Sequence, residues 1–119
     1  GRNVMMLNVS FACHMPDCLE MPYKPAIIGM HDPVGKETAW YMGGNSCLAG
    51  DYVGAWAFDN NHWPQVGDLV IFRDMIHYTM VKTTMFNGVT HPSIVTYHSQ
   101  RGFETIRRFG YKDYKVRMG

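Results

Sequence analysis

The chain has 119 residues and a formal net charge of +1, which is the length of one domain and gives no general attraction to nucleic acid or anionic membranes. Hydrophobic residues make up 46% and charged residues 18% of the chain, a globular composition that excludes a disordered tail or a fibre. No stretch approaches about 18 consecutive apolar residues, so the sequence predicts no membrane span.

The residue choice favours β structure. Four Leu stand against ten Val, six Ile and seven Thr. Branching at Cβ restricts the side chain in a helix and suits the pleated surface of a sheet. Gly and Pro, spread along the whole chain, supply turns. We therefore predict an all-β fold: a small single-domain β-barrel or jelly-roll sandwich over residues 1–119, with little helix.

In the first half of the chain, four segments have the alternation or the apolar composition of strands. These are Leu7–Phe11, Ala26–Ile28, Thr38–Met42 and Asp51–Phe58. The intervening segment His14–Pro25 holds three prolines, which predicts a loop.

In the second half, further strands are predicted at Asp68–Phe72, His77–Thr84, Ser93–Tyr97 and Phe103–Phe109. Asn87-Gly88 is the strongest two-residue hairpin signal, because both residues accept a positive φ. Eight or nine strands at a spacing of roughly 8–12 residues are typical of a sandwich or barrel.

The C-terminal part is basic. From Arg101 onward there are six basic and two acidic residues, whereas the rest has five basic and eight acidic ones. With aromatic residues interleaved, such a hairpin could hold a polyanion, but Lys and Arg more commonly protect an edge strand. We expect no nucleic-acid partner, and the sequence sets no oligomeric state.

Three residues predict a metal site at the mouth of the barrel. His31, Glu37 and His77 follow or flank predicted turns, and two His with one carboxylate is an arrangement that holds a divalent metal such as Fe, Mn or Zn. The alternative is a turn histidine, a solvated carboxylate and a histidine satisfied within the barrel.

These residues resemble the motifs of the cupin family over about residues 29 to 81. His31, Glu37 and Gly44 match the first-His, Glu and Gly positions of the first cupin motif, and Pro33 stands at the second-His position. The strand 67–72 followed by His77 is similar to the second motif, one residue short. The resemblance implies a β-barrel with a metal site and a small-molecule oxygenase or isomerase activity.

The strand 67–72 followed by His77 and His91 also resembles the C-terminal half of NlpC-type and CHAP-type cysteine peptidases. That resemblance implies Cys18 as nucleophile, His77 as base and His91 as the orienting group. Pro22 opposes it, because a helix should follow the nucleophile.

Aromatic residues offer a third kind of site. Trp40, Trp56, Phe72 and His91 could line a ligand cavity inside a barrel, with or without a metal. Large aromatic side chains equally make up the cores of small β domains.

The three cysteines, Cys13, Cys18 and Cys47, allow one disulfide or none and are more typical of a reducing, cytoplasmic compartment. With His31 they could also form a structural zinc site. The function predicted is a cupin-like barrel that binds a small molecule. The alternatives are a metal-free binding barrel and a cysteine peptidase or amidase.

Overall fold

A computed structural model describes residues 1–119, and it contains helices as well as strands. Six strands are formed: β1 Asn3–Met6, β2 Met30–His31, β3 Trp40–Gly43, β4 Tyr52–Phe58, β5 Ile94–His98 and β6 Gly102–Arg107. Four helices are formed: α1 Phe11–His14, α2 Asp17–Glu20, α3 Thr79–Lys82 and α4 Tyr111–Met118.

Four strands form one sheet in the order β1-β3-β4-β2. β1 runs parallel to β3, whereas β3 with β4 and β2 with β4 are antiparallel. Trp40 lies opposite Trp56 and Met42 opposite Val53, so the register shifts between these two pairs. This irregularity interrupts the side-chain alternation and allows Trp56 and its neighbour Ala57 both to be buried. β5 and β6 form a separate antiparallel hairpin.

The core lies where α1 and α2 pack on the four-stranded sheet. Its buried members are Phe11, Met15, Cys18, Ile27, Met42 and Trp56. The indole Nε1 of Trp56 donates a hydrogen bond to the Pro25 carbonyl at 3.2 Å, which satisfies the polar atom of this buried side chain. The core therefore ties the helical segment to the sheet.

A short network of hydrogen bonds holds α1 in place. The Ser10 hydroxyl caps the helix by accepting from the Cys13 amide, and the Ser10 amide donates to Nδ1 of His14. Because Nδ1 accepts, Nε2 carries the proton and donates to the Thr90 carbonyl at 2.8 Å. Burial lowers the pKa of His14, in agreement with this neutral tautomer.

The all-β prediction is wrong. Phe11, the end of one predicted strand, begins α1, and most of the predicted strand His77–Thr84 is the helix α3 or irregular chain. The apolar run Asp68–Phe72 forms only one isolated bridge, from Phe72 to Ile27. The conformation of these segments depends on helix capping, helix contacts and ion pairing. β-propensity alone does not describe these interactions.

The predicted strands Thr38–Met42, Asp51–Phe58, Ser93–Tyr97 and Phe103–Phe109 coincide closely with β3, β4, β5 and β6. The predicted hairpin at Asn87-Gly88 is wrong. These residues form a 3-10 turn over Phe86–Gly88 in which Asn87 has the expected positive φ of 59°.

Much of the apolar surface is exposed. Only 18 of the 119 residues are buried, whereas Val66 is fully exposed and Leu69 is 88% exposed. None of the helices has the length and apolar character needed to cross a membrane.

Candidate functional site

A cavity of about 210 Å³ lies between α2 and the segment 74–79. We call it the α2 cavity. Carboxylate, phenol, imidazole and thioether groups share its wall, contributed among others by Asp17, Met21, Tyr23, Asp74, His77 and Tyr78. It combines negative charge with aromatic and apolar surface.

Asp17 is the most buried charged group at this cavity, with 2% of its surface exposed. Lys82 of α3 reaches back across the chain, placing Nζ 2.6 Å from Oδ1 of Asp17 and also in contact with the Glu20 carboxylate. Its hydrogen bonds to Asp17 and then Glu20 raise the pKa of Lys82. The lysine is therefore a fixed ammonium group held by two carboxylates.

Tyr23, which follows α2, lies beside Cys18 of the same helix. Burial raises the pKa of the Cys18 thiol and the pKa of the Tyr23 phenol. Both groups therefore stay neutral at physiological pH. This is the opposite of what a cysteine nucleophile requires, because the thiolate is the reactive species.

A second cluster surrounds the loop between β3 and β4. Asp51, which is 4% exposed, accepts hydrogen bonds from the Ala12 amide at 3.0 Å and from the Ser46 hydroxyl at 2.6 Å. Burial alone would raise the pKa of Asp51, but the hydrogen bonds from Ser46 and Ala12 prevail and lower it. The loop is thereby fixed to α1 by a buried carboxylate.

Cys47, in the middle of that loop, is exposed. The side-chain amide of Asn87 donates to its sulfur at 2.9 Å. The thiol of Cys13 in α1 also donates to the Phe86 carbonyl, at 3.4 Å. The 3-10 turn therefore links the Cys47 loop with α1.

His31 and Glu37, two of the three predicted metal ligands, do come together. Nε2 of His31 lies 3.0 Å from Glu37, and Nδ1 lies 2.5 Å from Asp59. Both ring nitrogens face carboxylates, so both can donate only in the charged imidazolium. These hydrogen bonds, led by the one to Asp59, raise the pKa of His31.

The third predicted ligand, His77, lines the α2 cavity and not the His31 cluster. No group of three His, Cys, Asp or Glu side chains is placed to hold a metal ion, and this includes the predicted zinc site at Cys13, Cys18, His31 and Cys47. The prediction of metal binding through His31, Glu37 and His77 is therefore corrected. His31 forms ion pairs that link β2 to Glu37 and Asp59.

The predicted ligand-binding aromatic residues are dispersed. Trp40 lines an apolar groove of about 660 Å³ beside β1 and the segment 64–70. Trp56 and Phe72 pack against each other with ring centroids 6.3 Å apart, at the core. His91 packs its ring on Phe109 with centroids 5.1 Å apart. Only Trp40 among the four faces a described cavity.

Sequence reasoning missed Asp17, Asp51, Asp74 and Tyr78. No spacing rule joins these residues, because three separate loops and helices bring them to their positions. One usable signal was the pair Asp17 and Glu20, three residues apart, which share one face if the segment is helical. Because of the prolines around it, the sequence predicts a loop for this segment, and a loop has no such shared face.

Comparison with known proteins gives a consistent result. The chain is 56% identical over 114 residues to a carboxyaminopropylagmatine decarboxylase of Synechocystis sp., covering 96% of this chain and 29% of that protein. It is 36% identical over 127 residues to a carboxynorspermidine/carboxyspermidine decarboxylase of Campylobacter jejuni, covering 98% and 33%. The chain thus spans about a third of the length of these relatives. No family model matches it.

Solved structures agree in fold. The carboxynorspermidine decarboxylase of Campylobacter jejuni, solved in complex with norspermidine, superposes with a TM-score of 0.87 at 37% identity, covering 96% of this chain and 34% of that one. The lysine decarboxylase of Selenomonas ruminantium superposes with a TM-score of 0.57 at 22% identity, covering 76% and 24%. The latter likeness concerns the fold alone.

These similarities overturn the predicted identity. The resemblances to cupins and to NlpC/CHAP peptidases are wrong, and so is the predicted oxygenase, isomerase or peptidase activity, since the relatives are decarboxylases. The cupin motif misled because Gly44 follows β3 directly and His31 ends β2, positions that resemble those of the motif. Their contacts are with Asp51, Asp59 and Glu37, and not with a metal.

Proposed function

We propose that this chain is part of a decarboxylase that acts on a carboxylated polyamine. The observation that carries the proposal is the 56% identity with a carboxyaminopropylagmatine decarboxylase, which extends over 96% of the chain. The fold match to a decarboxylase solved with norspermidine supports the same substrate class. Norspermidine and its relatives are flexible polycations at neutral pH.

In the proposed reaction the bond between the carboxyl carbon and the adjacent carbon breaks. CO₂ leaves, a proton takes its place, and the carboxylated polyamine becomes the polyamine. The electron pair left on carbon needs an electron sink, and pyridoxal phosphate is the cofactor that supplies one in amino-acid chemistry.

The lysines of this chain do not fit the attachment of that cofactor, which binds through a lysine amine. Lys82 is held as an ammonium group by Asp17 and Glu20, and Lys24 pairs with Asp32. The other three lysines are exposed on the surface. We therefore assign to this chain the binding and orientation of the cationic substrate.

The proposal is tested by exchanging the matching third of each relative for this chain. The grafted Synechocystis and Campylobacter enzymes are purified, their folding is checked by circular dichroism, and CO₂ release is measured with each parent's own substrate. We expect both grafts to release CO₂ from carboxylated polyamines. Folded grafts that release none, beside active parents, would overturn the proposal.

A further inference from the structure

The α2 cavity carries more negative than positive charge. The carboxylates of Asp17 and Asp74 line it, and Glu20 stands one helical turn from Asp17, against the single ammonium of Lys82. Asp74 takes part in none of the seven ion pairs of the structure. Its charge is therefore free to attract a cation from outside the chain.

Lys82 lies beside the cavity and does not line it, and it shows how carboxylates of α2 hold an alkylammonium. Its ammonium is shared between one buried carboxylate, Asp17, and one exposed carboxylate, Glu20. The two carboxylate oxygens accept from two of the three donors of this primary ammonium. Asp74, on the opposite segment of the cavity wall, supplies a further acceptor without a lysine of its own.

The rest of the wall suits a short alkyl chain. Met21 and Met75 present flexible apolar side chains, and Tyr23 and Tyr78 present aromatic rings. Aromatic faces attract ammonium groups as well as methylenes. A cavity of about 210 Å³ lies below the range of roughly 300–1,000 Å³ for drug-sized ligands, so it has room for one arm of a polyamine and not for the whole molecule.

We infer that the α2 cavity binds one terminal aminopropyl arm of the polyamine, with its ammonium at Asp74 and its methylenes against Tyr23 and Tyr78. This inference rests on the proposed function, which supplies the polyamine as ligand. The cavity then favours substrates that carry a primary ammonium group at the end of the molecule farthest from the carboxylate that leaves as CO₂. Asp74 is a substrate-binding residue in this account, and Tyr78 helps to position the arm.

The test is isothermal titration of the 119-residue chain with norspermidine, which is bis(3-aminopropyl)amine, at about 0.15 M salt. Asp74→Asn removes the charge while keeping the shape, and Asn tolerates the positive φ of 57° at this position. Loss of one charge-assisted contact is expected to weaken binding roughly tenfold. Tyr78→Phe retains the ring and is expected to weaken binding less.

Glu104→Gln is the matched control, because Glu104 is an exposed carboxylate on β6 outside the cavity. It changes the net charge equally and is expected to leave the affinity nearly unchanged, since distant exposed charges are screened beyond about 8 Å at this salt. The matched ligand is bis(3-hydroxypropyl)amine, which lacks the terminal ammonium groups. It should bind more weakly and be insensitive to Asp74→Asn.

Equal affinities of Asp74→Asn and Glu104→Gln for norspermidine would overturn the inference, and so would an absence of norspermidine binding by a chain that circular dichroism shows to be folded. This outcome is separate from failure of the proposed function. If the grafted enzymes release CO₂ and the Asp74→Asn substitution leaves their KM unchanged, the inference about the α2 cavity fails. The decarboxylase proposal then still stands. Binding that depends on Asp74 with no CO₂ release would instead leave a cation site in a protein of another activity.

Discussion

The carboxylate of Asp51 lies directly against the Cα of Gly44. A β-carbon at residue 44 would come within 2.7 Å of Oδ1 and closer still to Oδ2. The Gly44 amide also donates to the Asp51 carbonyl at 2.7 Å. Gly44 is therefore needed for close approach and not for its φ, and the loop that presents Cys47 depends on this contact.

Gly44→Ala is expected to destabilise the fold by about 1–3 kcal/mol, the usual cost of an overpacked site. The carboxylate would have to move away from the Ala12 and Ser46 groups that it accepts from. Urea denaturation measures the free energy of unfolding. Gly50→Ala in the same loop is the control, because nothing lies within 4 Å of its added carbon. Equal stability of the two variants would contradict this account.

Lys82→Met is expected to lower the free energy of unfolding, because the carboxylate of Asp17 would remain buried without its partner. Thermal or urea unfolding measures the effect. Lys36→Met, an exposed lysine without an ion pair, should change stability little. Adding Asp17→Asn to Lys82→Met should recover part of the loss, and no recovery would argue against the ion pair as the cause.

His31 predicts a pH-dependent contribution to stability. Hydrogen bonds with Asp59 and Glu37 raise the folded pKa of His31 above its ordinary value of 6.5. The stabilisation is therefore fully present below about pH 6.5 and is lost as the pH rises through the raised folded pKa. The melting temperature of His31→Gln should fall below that of the parent at pH 6, and the gap should shrink at alkaline pH.

The control for that experiment is His31→Gln in a Glu37→Gln/Asp59→Asn background, which lacks both carboxylate partners of His31. There the gap between the chains with and without His31 should not shrink with rising pH in this way. A gap for His31→Gln that stays constant from pH 6 to pH 9 would show that packing, and not charge, explains the role of His31.

Alkylation distinguishes the three thiols. Cys47 is exposed whereas Cys13 and Cys18 are buried. Iodoacetamide at neutral pH should therefore modify one thiol per native chain, and mass spectrometry should place it on Cys47. Cys47→Ser should abolish this fast modification, and urea should release the other two thiols. Fast labelling of Cys18 in the native chain would contradict its burial.

Strands β3 to β6 could be predicted from sequence because their signal is local, whereas the predicted strands Leu7–Phe11 and Ala26–Ile28 are wrong and lie beside β1 and β2. β4 combines three aromatic residues with Val53 and small residues, and β5 and β6 flank a turn at which Gly102 has a positive φ of 74°. The short helices could not be predicted this way. α1 has four residues and owes its place to the Ser10 cap and to the hydrogen bonds of His14.

The candidate site was even harder to predict from sequence than the short helices. Asp17 and Asp74 are 57 positions apart in the chain, yet both line the α2 cavity, and Lys82 of α3 pairs with Asp17 of α2. His31 and Glu37 lie together because a short turn joins them. The sequence favours a metal site there because it does not reveal that Asp59 hydrogen-bonds the other ring nitrogen.

The most direct measurement is the substrate preference of the grafted enzymes, taken as kcat/KM for carboxynorspermidine, carboxyaminopropylagmatine and lysine. Our account predicts CO₂ release from the carboxylated polyamines in preference to lysine, and a selective rise in their KM on Asp74→Asn. A folded graft that prefers lysine, or releases CO₂ from none of the three, would contradict the assignment of this chain to a carboxylated-polyamine decarboxylase.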